Sequence, residues 1–169
     1  MPSLYDTSVP VFIRALTNLS SILKKGEEFT TEKNIAETKV LQETRLAPDM
    51  QGLAYQIQRV SDSSKGTIAR VSGLAAPSFA DNETTYAELQ ARIQKTIDFL
   101  KTVKPSDLDG KEKNDVLVKL PSGEFTQDAQ SHILLFGIPN FFFHVTTAYG
   151  LLRHLGVPIG KADYLGPLK

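Results

Sequence analysis

The three histidines are the side chains whose chemistry is easiest to place. His144 lies inside a strongly apolar segment, where an imidazole most often bonds a backbone carbonyl or a polar neighbour. Its functional alternatives are a metal ligand and a general base. His154 comes near the end of the same predicted helix, where a cation suits the negative pole, and His132 has no ligand spacing to either of the other two.

Two carboxylates and an aromatic run are weaker candidates. Asp49 and Asp163 are each flanked by apolar residues. Asp49 falls in the first turn of a predicted helix, so capping is its default role. Residues 141–143 are all phenylalanine, which is typical of a core, although aromatics beside a polar cluster can also wall a small-molecule pocket. The sequence contains no zinc-protease, calcium-loop or serine-hydrolase motif.

Composition narrows the classes of function. The 169 residues suit one domain, residues 1–169, with a substantial core. Nineteen basic and nineteen acidic side chains cancel, which argues against nucleic-acid binding because that affinity depends on neutralising phosphates. The absence of cysteine excludes disulfides and cysteine-ligated zinc. No segment approaches the roughly 20 apolar residues of a membrane span, and we expect a cytoplasmic protein that does not bind membranes.

The first half of the chain predicts a strong amphipathic helix. Apolar residues over 9–23 recur on one helical face, with Ser8 as the N-cap, Pro10 in the first turn and Gly26 just past the end. Residues 27–45 are polar and weakly periodic, which predicts irregular structure with one or two helical turns.

A second long helix is predicted from Pro48 to about Val71, again with a first-turn proline. Gly73 and Pro77 supply its stop signals. Its middle, residues 61–66, is a poor helix former because it is rich in serine and ends in glycine.

The second half predicts a third helix, a hairpin and a fourth helix. Thr85 and Glu88 form a capping-box pattern for a helix that ends before Pro105. Residues 116–126 predict a short β-hairpin with its turn at 121–123, and one or two helical turns follow it.

The last helix is predicted from Pro139 through Leu155 and is apolar over most of its circumference, which is typical of a buried helix. The tail, residues 157–166, is predicted to be a loop that lies back on the fold. Four amphipathic helices of this kind predict an all-α, antiparallel four-helix bundle with the β-hairpin before the last helix.

Three segments carry a resemblance to a known family: 5–12 (YDTSVPVF), 45–50 (RLAPDM) and 139–165 (PNFFFHVTTAYGLLRHLGVPIGKADYL). They are similar to a domain-of-unknown-function family of bacteria and fungi that is grouped with the DinB/YfiT-like helical bundles. The resemblance covers nearly the whole chain. It implies an antiparallel four-helix bundle with a long crossover, often dimeric.

The wider superfamily typically holds a divalent metal through three histidines, one on the second long helix and an H-x-x-x-H pair early on the last. By this resemblance His144 matches the second histidine of the pair, Asn140 stands where the first would be, and Gln56 falls at the third position. Amide oxygens are weak ligands beside imidazole, so we predict no resident cofactor, with a divalent metal as the less favoured outcome.

The first hypothesis is a small-molecule site without a tightly held metal. His144 would act as a base or hydrogen-bond anchor, with Asn140 and Gln56 orienting the ligand and Phe143 and Tyr149 lining the pocket. Buried polar groups at these positions must bond each other, water or a ligand, because leaving one unpaired costs about 1–3 kcal/mol.

Two alternatives remain. One is a metal-dependent enzyme of the thiol-transferase type found in the superfamily, with a fourth ligand from solvent, Asp49, Asp163 or His154. The other is a non-catalytic homodimeric module whose apolar face binds a second copy. The sequence ranks the small-molecule site and the module together, ahead of the metalloenzyme, and leaves open whether the protein is an enzyme.

Overall fold

The computed structural model describes residues 3–120 and 123–167. This part of the chain is mainly helical and carries one two-stranded antiparallel hairpin. Its elements in chain order are α1 (Leu4–Glu32), π1 (Lys39–Glu43), α2 (Leu53–Ser72), α3 (Tyr86–Thr102), α4 (Pro105–Leu108), β1 (Asp115–Leu120), β2 (Gly123–Asp128), α5 (Ala129–Ser131), π2 (His132–Gly137), α6 (Ile138–His154) and α7 (Lys161–Leu165).

The first helix is much longer than its apolar stripe predicts. Its N-cap is Ser3, which forms a capping box with Asp6, so the prediction of Ser8 as the cap is wrong. Ser8 instead lies buried inside α1 and donates its hydroxyl to the carbonyl of Leu4 at 2.6 Å. Pro10 is therefore an interior proline rather than a first-turn one.

Gly26 does not end α1, because it serves close packing instead. A Cβ atom there would lie 3.0 Å from the side chain of Leu152 on α6 and 3.3 Å from the hydroxyl of Tyr86 on α3. Glycine at this position thus lets three helices approach one another, and α1 continues for six more residues to Glu32. Residues 27–45, predicted to be irregular, thus contain the last turns of α1 and, further on, the π-helical turn π1.

The second helix begins later than predicted. Its N-cap is Gly52, so Pro48 and Asp49 lie before α2 in a turn, and the prediction that Asp49 caps the helix is wrong. A Cβ atom on Gly52 would lie 2.9 Å from the carbonyl oxygens of residues 41 and 42, which excludes a larger residue there. Gly73 ends the helix as predicted, in the left-handed conformation with φ 81°.

The serine-rich middle of α2 is helical because tertiary contacts outweigh its low propensity. Ser61 is fully buried and its hydroxyl lies 2.7 Å from that of Thr96 on α3. Ser64 is also buried and donates to the carbonyls of Val60 and Ser61. These residues allow close contact between α2 and α3 with their polar atoms satisfied.

The third helix and the hairpin agree with the sequence patterns. Thr85 and Glu88 form the expected capping box. In the hairpin, Val116 pairs with Gln127 and Val118 with Phe125, with both valines buried. Of the predicted turn at 121–123, residues 121 and 122 lie outside the described part of the chain.

The helical stretch before and through α6 provides the central packing element. Phe141, Ala148, Leu151 and Leu152 are fully buried against the core, and α6 packs along α2 and against α1. By length and composition alone, the helical stretch Ala129–His154 could cross a membrane. About one third of its most apolar 18 residues is buried inside the protein. A core helix of a globular protein meets the same criteria.

The tail is held against α1 by polar contacts, and part of it is a helix rather than the predicted loop. Arg14 donates to the carbonyls of Leu165 and Pro167, and Lys25 pairs with Asp163 at 2.6 Å. Asp163 also accepts the backbone N–H of Gly160 and so caps α7. These contacts explain a short helix that sequence periodicity alone does not reveal.

Candidate functional site

The structure brings two of the predicted site residues together. Gln56 is buried in the first turns of α2, and His144 is half-buried in the middle of α6. Their side chains meet across the packed α2–α6 pair, with His144 Nδ1 2.7 Å from Gln56 Oε1. A residue pair 88 positions apart in sequence thus forms one hydrogen-bonded unit.

The second hydrogen bond of Gln56 determines which nitrogen of His144 carries the proton. Gln56 Nε2 donates to the carbonyl of Gln51 at 3.1 Å, which turns Oε1 towards the imidazole. Because Oε1 can only accept, Nδ1 of His144 must donate. Nε2 then carries the lone pair, and it is neither buried nor hydrogen-bonded within the described residues.

The surroundings keep this imidazole neutral. Burial, reinforced by the positive charge of Arg59, lowers the pKa of His144 from 6.5 to about 4. The rings of Tyr55 and Phe143 stand edge-on to it, with centroids 6.3 and 5.1 Å away. At neutral pH His144 therefore offers an accessible acceptor nitrogen beside two aromatic rings.

Asn140 lies one helical turn before His144, and its side chain forms no hydrogen bond with either Gln56 or His144. It lines a separate cavity of ≈ 190 Å³ between α2 and the π2–α6 stretch. The other lining residues are Arg59, Asp62, Ser63, Thr67, Arg70 and Phe136. The three predicted residues thus occupy one seam between α2 and α6. The hydrogen-bonded Gln56–His144 pair and the side-chain amide of Asn140 lie in adjacent positions along it.

The two aromatic residues predicted to line the site have different surroundings. Phe143 is 58% exposed and contacts the His144 ring. Tyr149 is half-buried and packs edge-on against Tyr164 of α7. Tyr55, which sequence reasoning did not select, contacts His144 from α2 and carries the guanidinium of Arg59 5.2 Å from its ring centre.

The residues considered as additional metal ligands are placed elsewhere or engaged in other contacts. Asp49 is exposed in the turn before α2, and His154 is exposed at the end of α6. Asp163 binds Lys25, whose hydrogen bond lowers the pKa of that carboxyl. The described residues contain no group of three histidine, aspartate or glutamate side chains arranged to hold a metal.

The donor chemistry at the seam does not fit the metal site of the superfamily. Only one of the three ligand positions carries an imidazole, and the other two carry neutral amides, which bind transition metals weakly. Gln56 Oε1 already accepts the Nδ1 proton of His144.

An ion network centred on a buried arginine adjoins the site and was not predicted. Arg92 on α3 is 2% exposed and binds Asp62, Asp81 and Glu83 at 3.0, 2.9 and 2.8 Å. Arg59 joins the same network through Asp62 at 2.9 Å and through Asp81. Its only sequence signal is a charged residue, Arg92, beside the apolar row of α3.

A second histidine lies in the same helical stretch. His132 is fully buried at the start of π2, stacks on Phe136, and receives a hydrogen bond from Gln127 Nε2 at Nδ1 over 3.1 Å. Its Nε2 atom is buried without a partner in the described residues. Burial and the charge of Arg70 lower the pKa of His132 from 6.5 to about 4.

Comparison with known proteins agrees with this architecture. The chain is similar to a crystal structure of a DinB family member protein from Shewanella denitrificans, with 36% sequence identity and a TM-score of 0.89. The match covers 98% of this chain and 93% of that one. Comparison with curated proteins gave no match.

A family model, described as a domain of unknown function (DUF1993), matches residues 4–165. The two matches together confirm the resemblance noted in the sequence: the family model gives the domain-of-unknown-function family, and the solved structure gives its DinB-like relationship. The chain therefore belongs to the DUF1993 family and is similar in fold to a DinB family member.

Proposed function

We propose that this protein binds a small polar organic molecule at the seam between α2 and α6, with Nε2 of His144 as the hydrogen-bond acceptor. The observation that carries this proposal is the Gln56–His144 hydrogen bond, which places the imidazole proton on Nδ1 and leaves Nε2 accessible. A neutral imidazole oriented by an amide can bind a hydroxyl, amide or ammonium donor of a ligand.

The same geometry favours an anchor over a catalytic base. General bases work best when their pKa lies near the operating pH, whereas that of His144 is lowered to about 4. Tyr55 and Phe143 would contact the apolar part of the ligand, and Asn140 would face it from the adjacent cavity. Tyr149 would lie behind the rings of Tyr55 and Phe143 and support them through its packing against Tyr164 of α7.

The proposal includes an antiparallel four-helix bundle of the DinB/YfiT type as the scaffold. Its helices would be α1, α2, α3 and α6. Its support is the packing of α2 on α6 and α3, and of α1 on α3 and α6. In such a bundle, ligand sites form between side chains of facing helices, and His144 and Gln56 would form one here.

A ligand-observed NMR screen of small polar organic compounds tests this function. Compounds that bind the native protein should lose binding in His144→Ala, while His154→Ala, an exposed histidine at the end of the same helix, should retain it. Circular dichroism should show the same helical content in both variants. Equal binding to the native protein and to His144→Ala would exclude the proposed anchor.

A homodimeric interaction module is the second candidate, and exposed apolar side chains favour it. Leu135 is 74% exposed and Phe143 is 58% exposed on the outer side of the π2–α6 stretch. We expect sedimentation equilibrium to detect a dimer that Leu135→Asp dissociates. A native protein that is monomeric at all concentrations would contradict the module.

A further inference from the structure

The cavity beside Asn140 has a positive charge without a partner. Arg59, Lys65 and Arg92 are balanced by Asp62, Asp81 and Glu83 in one connected network. Arg70 lines the cavity from the last turn of α2, is exposed, and makes no ion pair within the described ranges. The network is therefore neutral, and Arg70 is the surplus cation.

The Asp62 carboxylate, which also lines the cavity, does not cancel this charge. It binds three cations already: Lys65 at 2.6 Å, Arg59 at 2.9 Å and Arg92 at 3.0 Å. Because the network that contains Asp62 is neutral, the net charge at the cavity is the single positive charge of Arg70, which one negative charge would balance. The charge distribution thus favours a monoanion.

The remaining lining groups complete the recognition of a planar anion. The side-chain amide of Asn140 has no hydrogen-bond partner in the residues that the structure describes, so its NH₂ group is free to donate. Arg70 offers a planar fork of N–H donors, which matches the two oxygens of a carboxylate. The half-buried ring of Phe136 provides an apolar wall beside them.

From this arrangement we infer that the cavity between Arg70 and Asn140 binds the carboxylate group of a small organic acid. The inference rests on the proposed function in one respect, because the body of such an acid would extend one helical turn towards Nε2 of His144. The inference specifies the chemical class of the ligand, a carboxylic acid. It also adds Arg70 and Asn140 as a second group of residues that would recognise it.

Benzoate is a suitable probe, with benzamide as its neutral counterpart and inorganic phosphate as a more highly charged anion. Titrations followed by the Arg side-chain Nε–H resonances should show saturable binding of benzoate and weaker binding of the other two. We expect Arg70→Gln to weaken benzoate binding about tenfold or more, since it removes a charge-assisted contact. Lys101→Gln removes an exposed charge on α3 and should leave the affinity unchanged.

The outcomes separate this inference from the proposed function. Benzoate carries no donor for Nε2 of His144, so binding that is lost in Arg70→Gln but retained in His144→Ala supports the carboxylate site independently of the histidine anchor. Binding that is lost in His144→Ala but unaffected by Arg70→Gln overturns the carboxylate site. It is likewise overturned if benzamide or phosphate binds as tightly as benzoate, or if benzoate does not bind.

Discussion

His132 and His144 lie on one continuous helical stretch, yet their environments differ in solvent access. Each Nδ1 atom contacts a glutamine, and each imidazole has its pKa lowered to about 4 by burial and a nearby arginine. At His144 the glutamine accepts and leaves an accessible Nε2. At His132 the glutamine donates, and Nε2 is buried without a described partner. The comparison teaches that solvent access to Nε2, rather than the pKa, separates a candidate site from a core histidine.

The largest expected effect is a loss of stability in mild acid. Both histidines have a folded pKa near 4 and an ordinary unfolded value near 6.5, so the unfolded chain binds more protons between these values. Stability is therefore highest above pH 6.5 and falls as the pH approaches 4. Between pH 7.5 and 5 we expect a loss of about 2 kcal/mol for each histidine.

Urea unfolding at the two pH values measures this loss. His144→Gln should remove about half of the pH dependence, since it deletes one of the two titrating groups. A native protein equally stable at both pH values would show that neither imidazole is held neutral by the fold.

The second effect separates the two histidines by their packing. His132→Ala removes a fully buried ring and leaves a cavity against Phe136, which should cost about 3 kcal/mol. His144→Ala removes a half-buried ring and one hydrogen bond, with an expected cost of about 1 kcal/mol. Unfolding at pH 7.5 compares the two variants, and equal costs would break the distinction between core and site.

A third effect concerns two glycines of the same helical stretch, Gly137 and Gly150. A Cβ atom on Gly137 would lie 2.5 Å from Thr67 Cγ2, so Gly137→Ala should destabilise the protein by about 2 kcal/mol. Gly150→Ala meets only the flexible end of Leu46 at 3.4 Å and should be neutral or stabilising by up to about 1 kcal/mol. Thermal melts of the two variants should shift in opposite directions. Thr67→Ala should partly rescue Gly137→Ala, and a failure to do so would assign the damage to another contact.

The smallest effect sharpens the assignment of the imidazole protons. Gln56→Leu removes the acceptor of the His144 Nδ1 proton, so His144 should change from one tautomer to a mixture at a stability cost of about 1 kcal/mol. Long-range ¹H–¹⁵N NMR of the histidine rings reports the tautomers directly. The His132 signals should not change in this variant, and a native His144 protonated mainly on Nε2 would contradict the hydrogen-bond geometry.

Local patterns predicted the elements whose signals are complete within a few residues. The capping box of Thr85 and Glu88, the left-handed Gly73 and the valine-rich hairpin all have causes that lie next to one another in sequence. The same reasoning failed where a residue serves a distant partner. Gly26 resembles a helix stop but accommodates Leu152 and Tyr86, and its role depends on helices far away in the chain.

The candidate site shows the same contrast between what sequence patterns reveal and what depends on distant partners. Resemblance singled out Gln56, Asn140 and His144, but the sequence gives no distance between them and no direction for a side chain. The surplus charge of Arg70 was also hidden, because it emerges only once the partners of Arg59 and Arg92 are known.

The sequence by itself therefore determined the helical character of the chain, its hairpin and its membership in a DinB-like family, since these depend on local propensity and on long matched motifs. Only the tertiary structure decided that Gln56 meets His144 while Asn140 lies beside a pair of arginines. Hydrogen bonds and charges act over a few ångströms in space, and residues 88 positions apart come within that range only when α2 packs against α6.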